Sequence, residues 1–144
     1  MKVIPLEYVG TDPKFLDLLK REIEIMQKIQ DKNIVQMFDA ARTSRNLYMF
    51  LEYCKDGDLN DLLMRRQNRI TEGESIQIIS QIVQGFKKLY SHNIIHRDIK
   101  PANIMLHEGI AKITDFGFAR VIDNNSMEEQ GAFSKVGTPL YMCP

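Results

Sequence analysis

Apolar residues recur along this chain first at strand spacing, then at helix spacing, and the change of period divides it. Met1 to Ile4 is a short apolar run around Lys2 that reads as a strand, ended by Pro5, which has no N–H for a ladder. Asp12 and Pro13 supply a cap and a first-turn proline for a helix predicted from about Lys14 to Gln30. Its apolar line passes through Phe15, Leu19, Met26 and Ile29, and the one charge on that line is Glu22. Ile34 to Ala40 and Asn46 to Tyr53 are β-rich runs on either side of the polar Arg42, Thr43, Ser44 and Arg45, which predicts an antiparallel hairpin.

The period becomes helical after the polar joint Lys55, Asp56, Gly57, so a domain boundary is placed there, dividing residues 1–54 from 55–144. Asp58 can cap a short helix carrying Leu59, Leu62 and Leu63. Thr71 with Glu74 forms a capping-box signature ahead of a longer helix with Ile76, Ile79, Val83, Phe86 and Tyr90 on one face. From Asn93 the chain turns into short apolar runs broken by polar clusters, and Glu108 with Gly109 folds one run back on another. The chain shows no internal repeat and no low-complexity segment.

With 44% hydrophobic and 26% charged residues among 144, the composition is that of a globular domain able to bury a core. Nineteen basic residues balance nineteen acidic ones, so no net field draws the chain to nucleic acid or anionic lipid, and partners must be recognised locally. Cys54 and Cys143 lack metal-ligand spacing and are too few for a secreted disulfide framework, which favours a reducing, cytoplasmic setting. No apolar run approaches the roughly 20 residues of a membrane span.

The chemistry concentrates after residue 95. His96, Arg97, Asp98, Ile99, Lys100, Pro101, Ala102 and Asn103 pack functional side chains between apolar runs, the usual setting of a reactive loop. Asp115, Phe116 and Gly117 follow the apolar Ile110 to Ile113. A carboxylate at a strand end beside a glycine is a suitable magnesium ligand, and Asn103 can add a further oxygen.

The strings HRDIKPAN, DFG and GTPLYMCP, in that order, resemble the catalytic, metal and substrate-proximal loops of eukaryotic serine/threonine protein kinases. That resemblance implies an α+β, two-lobed fold, with a small β-rich lobe bearing one helix and a mainly helical second lobe. It also implies truncation at both ends: no glycine-rich loop precedes Met1, and the helices that would follow Pro144 are missing. The implied reaction moves the terminal phosphoryl group of ATP, with Mg2+, onto a serine or threonine hydroxyl of a protein substrate. A binding or scaffold module without catalysis is the alternative.

By the same resemblance, Asp98 orients the acceptor hydroxyl, Lys100 neutralises the transferred phosphate and marks the serine/threonine branch, and Asn103 and Asp115 hold the metal. Lys2 pairs with Glu22 and grips the nucleotide phosphates, although a solvated helix acid is the other reading of Glu22. In LYMFLEYC, Leu51 is similar to the gatekeeper beside adenine, and the backbone of Glu52 and Cys54 would bond the adenine edge, with Met105 also lining the nucleotide site. Asp58 would reach the ribose, or simply cap a helix. Cys54 is expected to be inert, since no adjacent base or helix N-terminus activates it. Met26, Met37, His96 and Phe116 match a stacked spine between lobes, while His92 and His107 read as surface residues. Thr138 would bond near Asp98 and Lys100. Ser134 falls where an upstream kinase would place a phosphate, and Arg97 would pair with it. Within the family, DFGFAR and its surroundings look most like the Unc-51-like kinases.

Overall fold

The computed structural model describes residues 1–9, 13–122 and 136–142. Strand β1 (Lys2–Pro5) leads through the single helical turn α1 (Leu6–Val9) to helix α2 (Pro13–Lys28), followed by β2 (Met37–Arg42) and β3 (Asn46–Leu51). The three strands form an antiparallel sheet in the order β1-β3-β2, with Lys2 opposite Met49. Thr43 makes the β2–β3 turn because its hydroxyl accepts from the N–H groups of Arg45 and Asn46. Pro5 is the last residue of β1, and β2 starts at Met37 rather than Ile34, which instead makes an isolated parallel bridge to Ile113.

Helices α3 (Leu59–Arg65) and α4 (Glu72–Ser91) begin where the sequence places their caps. Asp58 and Asp61 exchange side-chain bonds with each other's backbone N–H, as do Thr71 and Glu74, so both helices open on complete capping boxes. Three short strands follow α4: β4 (Ile94–Ile95), then the hairpin of β5 (Ile104–His107) and β6 (Ile110–Ile113). The last strand, β7 (Arg120–Val121), returns to pair with β4, while β5 and β6 pair with each other. Glu108 and Gly109 both have positive φ, 51° and 77°, the geometry that a two-residue hairpin turn demands.

One core cluster runs from Ile25 and Met26 of α2 and Ile29 just after it through Met37 and Met49 of the sheet to Leu89, Ile104, Ile113 and Phe116. Two sequence expectations are corrected by it. Phe15 is 41% exposed, because Leu16 and Leu19 supply the inward face of the first turns and Phe15 points about 100° away from Leu16. On α4 the inward face is Ile78, Ile82, Gly85, Phe86 and Leu89, leaving Ile76, Ile79, Val83 and Tyr90 exposed. This helix is apolar on two sides, so periodicity cannot choose between them. What chooses is Gly85, where a Cβ would lie 2.9 Å from the Asn33 carbonyl oxygen and from Ile113 Cδ1. Only glycine lets α4 approach the backbone of that loop and β6. No helix among the described residues is long and apolar enough to cross a membrane.

Candidate active site

The loop from His96 to Asn103 leaves β4 and ends in a single 3-10 turn, Pro101–Asn103. Two non-glycine residues near the site adopt left-handed backbone: Arg97 at φ 68° and Asp115 at φ 64°. Such conformations cost about 1–3 kcal/mol each and persist where the surroundings over-determine them. Here the surroundings are specific. His96 is 1% exposed and fixed at both ring nitrogens: Nδ1 accepts from the Asp98 N–H at 3.3 Å and Nε2 donates to the Thr114 carbonyl at 2.9 Å. That pairing requires the neutral Nε2–H tautomer. Burial pushes the imidazole below its ordinary value, outweighing the Thr114 bond and the nearby Asp115 and Asp98 charges. His96 thus ties the Asp98 loop to the residue before Asp115, and its ring meets Phe116 edge-on at 5.1 Å.

Asp98 is 4% exposed and both oxygens of its carboxylate are held. Thr138 Oγ1 donates to Oδ1 at 2.7 Å, while Lys100 Nζ at 2.9 Å and Asn103 Nδ2 at 3.0 Å reach Oδ2. Burial alone would raise its pKa, but the bonds from Lys100 and Thr138, the Lys100 charge and the Asn103 amide together hold it below the usual carboxylate value. Asp98 is therefore ionised at neutral pH and acts only as an acceptor. Lys100 Nζ also donates to Thr138 Oγ1 at 2.8 Å, which closes the set and brings residue 138 to the reactive loop.

Asn103 donates from Nδ2 to both the carbonyl and the carboxylate of Asp98, so its amide oxygen is the atom left for a cation. Thr114 N–H bonds the Asn103 carbonyl at 3.0 Å, which sets the Asp98–Asn103 loop directly against the Asp115 segment. The Asp115 side chain is 43% exposed, accepts from the Gly117 N–H at 3.4 Å and lies 3.9 Å from Lys2 Nζ. Among the described residues no group of three or more His, Cys, Asp or Glu could hold a metal alone. One carboxylate and one amide oxygen, with phosphate and water completing the shell, is a donor set that fits magnesium.

Lys2 Nζ also bonds Glu22 Oε1 at 2.8 Å. Glu22 is 3% exposed, so the charge on α2's buried line does have its cation, supplied by β1. Met26, Met37, His96 and Phe116 are all buried, as the spine reading requires. Leu51 packs on the core; Asp56 and Gly57, beyond Cys54, exchange backbone bonds with Leu106, and Asp58 bridges to Met105. The Asp58 carboxylate caps α3. Cys54 is buried, and burial, reinforced by Glu52, pushes its thiol up, keeping it protonated. Ser134 lies outside the described residues.

Three features were not anticipated from the sequence. Lys112 is 7% exposed and pairs with Glu52 at 3.0 Å. Arg97, whose Nε donates to the Phe118 carbonyl at 2.7 Å, has its pKa lowered first by burial and then by the charges of Arg120 and Arg21. Asn33 Oδ1 is buried without a hydrogen-bond partner, although its Nδ2 donates to the Ala111 carbonyl.

The sequence pattern that defines the protein kinase domain matches residues 1–144. This chain belongs to the protein kinase family. It is 37% identical over 127 residues to serine/threonine-protein kinase pakG of Dictyostelium discoideum, covering 88% of this chain and 11% of that protein. Serine/threonine-protein kinase 36 of Pongo abelii is 38% identical over 147 residues, 99% of this chain and 11% of that protein. An Unc-51-like relative, serine/threonine-protein kinase ULK1 of Homo sapiens, is 36% identical over 137 residues, 88% of this chain and 13% of that protein. The chain spans between 11% and 26% of the length of the first curated relatives it matches. The α+β arrangement is that of part of a kinase domain, a family that generally uses ATP, Mg2+ and protein substrates.

Proposed function

We propose that the protein carrying this chain transfers the terminal phosphoryl group of ATP to a serine or threonine hydroxyl of a protein substrate. The observation that carries this reading is the Asp98 carboxylate, buried, ionised and gripped by Lys100, Thr138 and Asn103. A group so held has one free task, accepting a hydrogen bond from a hydroxyl and so aligning its oxygen for in-line attack. Lys100, beside it, carries the positive charge that a phosphoryl group in transit needs.

Asp115 and the Asn103 amide oxygen would hold magnesium, which when bound offsets negative charge on the nucleotide phosphates. Lys2, braced by Glu22, faces Asp115 and would steady the α and β phosphates. Leu51, the backbone of Glu52 and Cys54, and Met105 would form the adenine site. Asp58 would reach the ribose only by giving up part of its capping role. The boundary between the small β-rich lobe with its hinge, residues 1–54, and the mainly helical lobe, residues 55–144, would fall between Cys54 and Lys55.

Regulation follows from Arg97. Arg97 is half-buried and feels the charges of Arg120 and Arg21, and a phosphate on Ser134, added by an upstream kinase, would bring roughly two negative charges for its guanidinium to pair with. The cytoplasm is the setting that fits a neutral chain with few cysteines.

The test is phosphate transfer from labelled ATP, with Mg2+, to a generic basic protein, using the whole protein and its Asp98→Asn variant. The reading expects labelling by the wild type on serine or threonine and its loss in the variant. Equal labelling by both would refute it.

A further inference from the structure

The least expected group in the molecule is the Lys112 ammonium. It lies on β6, an interior strand position, with its side chain 9% exposed, and its partner Glu52 follows β3 with its side chain 20% exposed. Removing two charges from water is expensive, and an apolar pair of similar volume would often hold the fold as well. A pair retained at such a place is better suited to fixing one arrangement of its elements than to adding stability.

The elements it joins are informative. Glu52 uses both carboxylate oxygens: Oε1 meets Lys112 Nζ at 3.0 Å and Oε2 accepts from the Gln36 N–H at 3.2 Å. The Glu52 N–H in turn bonds the Gln36 carbonyl at 2.8 Å. The same connector is laced to β6, since Val35 N–H bonds the Ile113 carbonyl at 2.9 Å and Ile113 N–H the Asn33 carbonyl at 2.8 Å. Glu52 therefore stands at a three-way junction between the strand leading into residues 52–54, the connector 33–36 and the strand that ends just before Asp115. Lys112 precedes Asp115 by three residues along that strand.

We propose that Glu52 and Lys112 are a positioning pair that holds the backbone of residues 52–54 at a set distance from Asp115. On the kinase reading above, on which this rests, that distance is the one between the adenine-facing peptide edge and the metal-facing carboxylate. The two side chains meet each other, not nucleotide or metal; Glu52 faces the adenine through its backbone alone. The pair acts by keeping the two ends of the nucleotide site in register, so its loss appears as weaker nucleotide capture and not as a slower transfer step.

Three variants of the whole protein test this: Glu52→Gln, which keeps the shape and the bond to Gln36 while removing the charge, Lys112→Met, and Lys112→Arg. We expect the first two to raise the ATP KM by about fivefold or more, with kcat held within about twofold, and Lys112→Arg to restore KM. Amide hydrogen exchange is followed alongside, and residues 52–58 and 113–115 should exchange faster in Glu52→Gln than in the wild type, whatever the activity. Unchanged exchange in both segments overturns the proposal. So does an unchanged KM, a fall in kcat without a rise in KM, or a Lys112→Arg variant as impaired as Lys112→Met. Failure of the kinase reading looks different: the wild type would then transfer no phosphate while the exchange result still judged the junction.

Discussion

Replacing Thr138 by valine removes a hydroxyl and little else, and the structure gives that hydroxyl two jobs at once. It donates to Asp98 Oδ1 at 2.7 Å and accepts from Lys100 Nζ at 2.8 Å, so both partners lose a fixed neighbour while their mutual contact at 2.9 Å remains. A hydrogen bond to a charged group contributes about 1.5–3 kcal/mol. The two bonds belong to one network and do not add, and Asn103 still holds Oδ2 at 3.0 Å, so a loss of about 2 kcal/mol in alignment is the reasonable figure. That corresponds to a fall in kcat of about 30-fold. Steady-state phosphate transfer, with ATP and protein substrate varied separately, measures it. Thr138→Ser, which keeps the hydroxyl, should stay within about threefold of wild type. The Asp98 carboxyl should also titrate higher in the valine variant, because a donor to its ionised form is gone, moving the acid limb of the rate profile to higher pH. A valine variant within threefold of wild type, or a serine variant as slow as valine, would refute the reasoning.

Three other outcomes follow from particular contacts. Lys2→Met strands the Glu22 carboxylate, 3% exposed, without its cation; because Lys2 is 40% exposed, the cost should be about 1–2 kcal/mol in urea unfolding, not the 3–5 typical of a fully buried pair. His96 has its pKa depressed by burial, so its contribution is intact above the unfolded value of about 6.5 and is lost as pH falls below it, when the unfolded chain takes up a proton that the native state resists. His96→Gln should flatten that part of the melting temperature's dependence between pH 7.5 and 5.5. Gly85→Ala should destabilise by about 1–3 kcal/mol despite alanine's better helix propensity, since its Cβ meets a backbone oxygen that cannot yield, whereas Gly73→Ala, with nothing within 4 Å, should not destabilise.

What the sequence disclosed depended on how local the chemistry is. The Thr71–Glu74 capping box, the Asp58 cap, the Glu108–Gly109 turn and the hairpin around Thr43 use partners a few residues apart, and all were readable; the return bond from Asp61 that completes the α3 box was not read. Glu22 was readable for a related reason: a carboxylate on an apolar helical line calls for a cation, and Lys2 was the charge at hand on the neighbouring strand. The wrong face of α4 arose because Ile76, Ile79, Val83 and Tyr90 keep helical spacing just as well as Ile78, Ile82, Phe86 and Leu89, and only the close approach at Gly85 distinguishes them. Lys112 and Glu52 were opaque: nothing in AKIT or FLEY says that a lysine in a short strand is buried, still less which distant acid it meets. The clustering of Arg21 and Arg120 near Arg97 was equally hidden, since it depends on how α2 and the segment after Gly117 pack against the reactive loop.

The central claim is that Asp98, Asn103 and Asp115 converge on a nucleotide and its metal, and the dependence of ATP affinity on Mg2+ tests it most directly. Titration of the whole protein with ATP, with and without Mg2+, should show affinity at least about tenfold higher with the ion for the wild type and little or no Mg2+ effect for Asp115→Asn, because the anionic ligand is replaced by a neutral amide. An Asp115→Asn variant that binds ATP with the full wild-type dependence on Mg2+ would contradict the account.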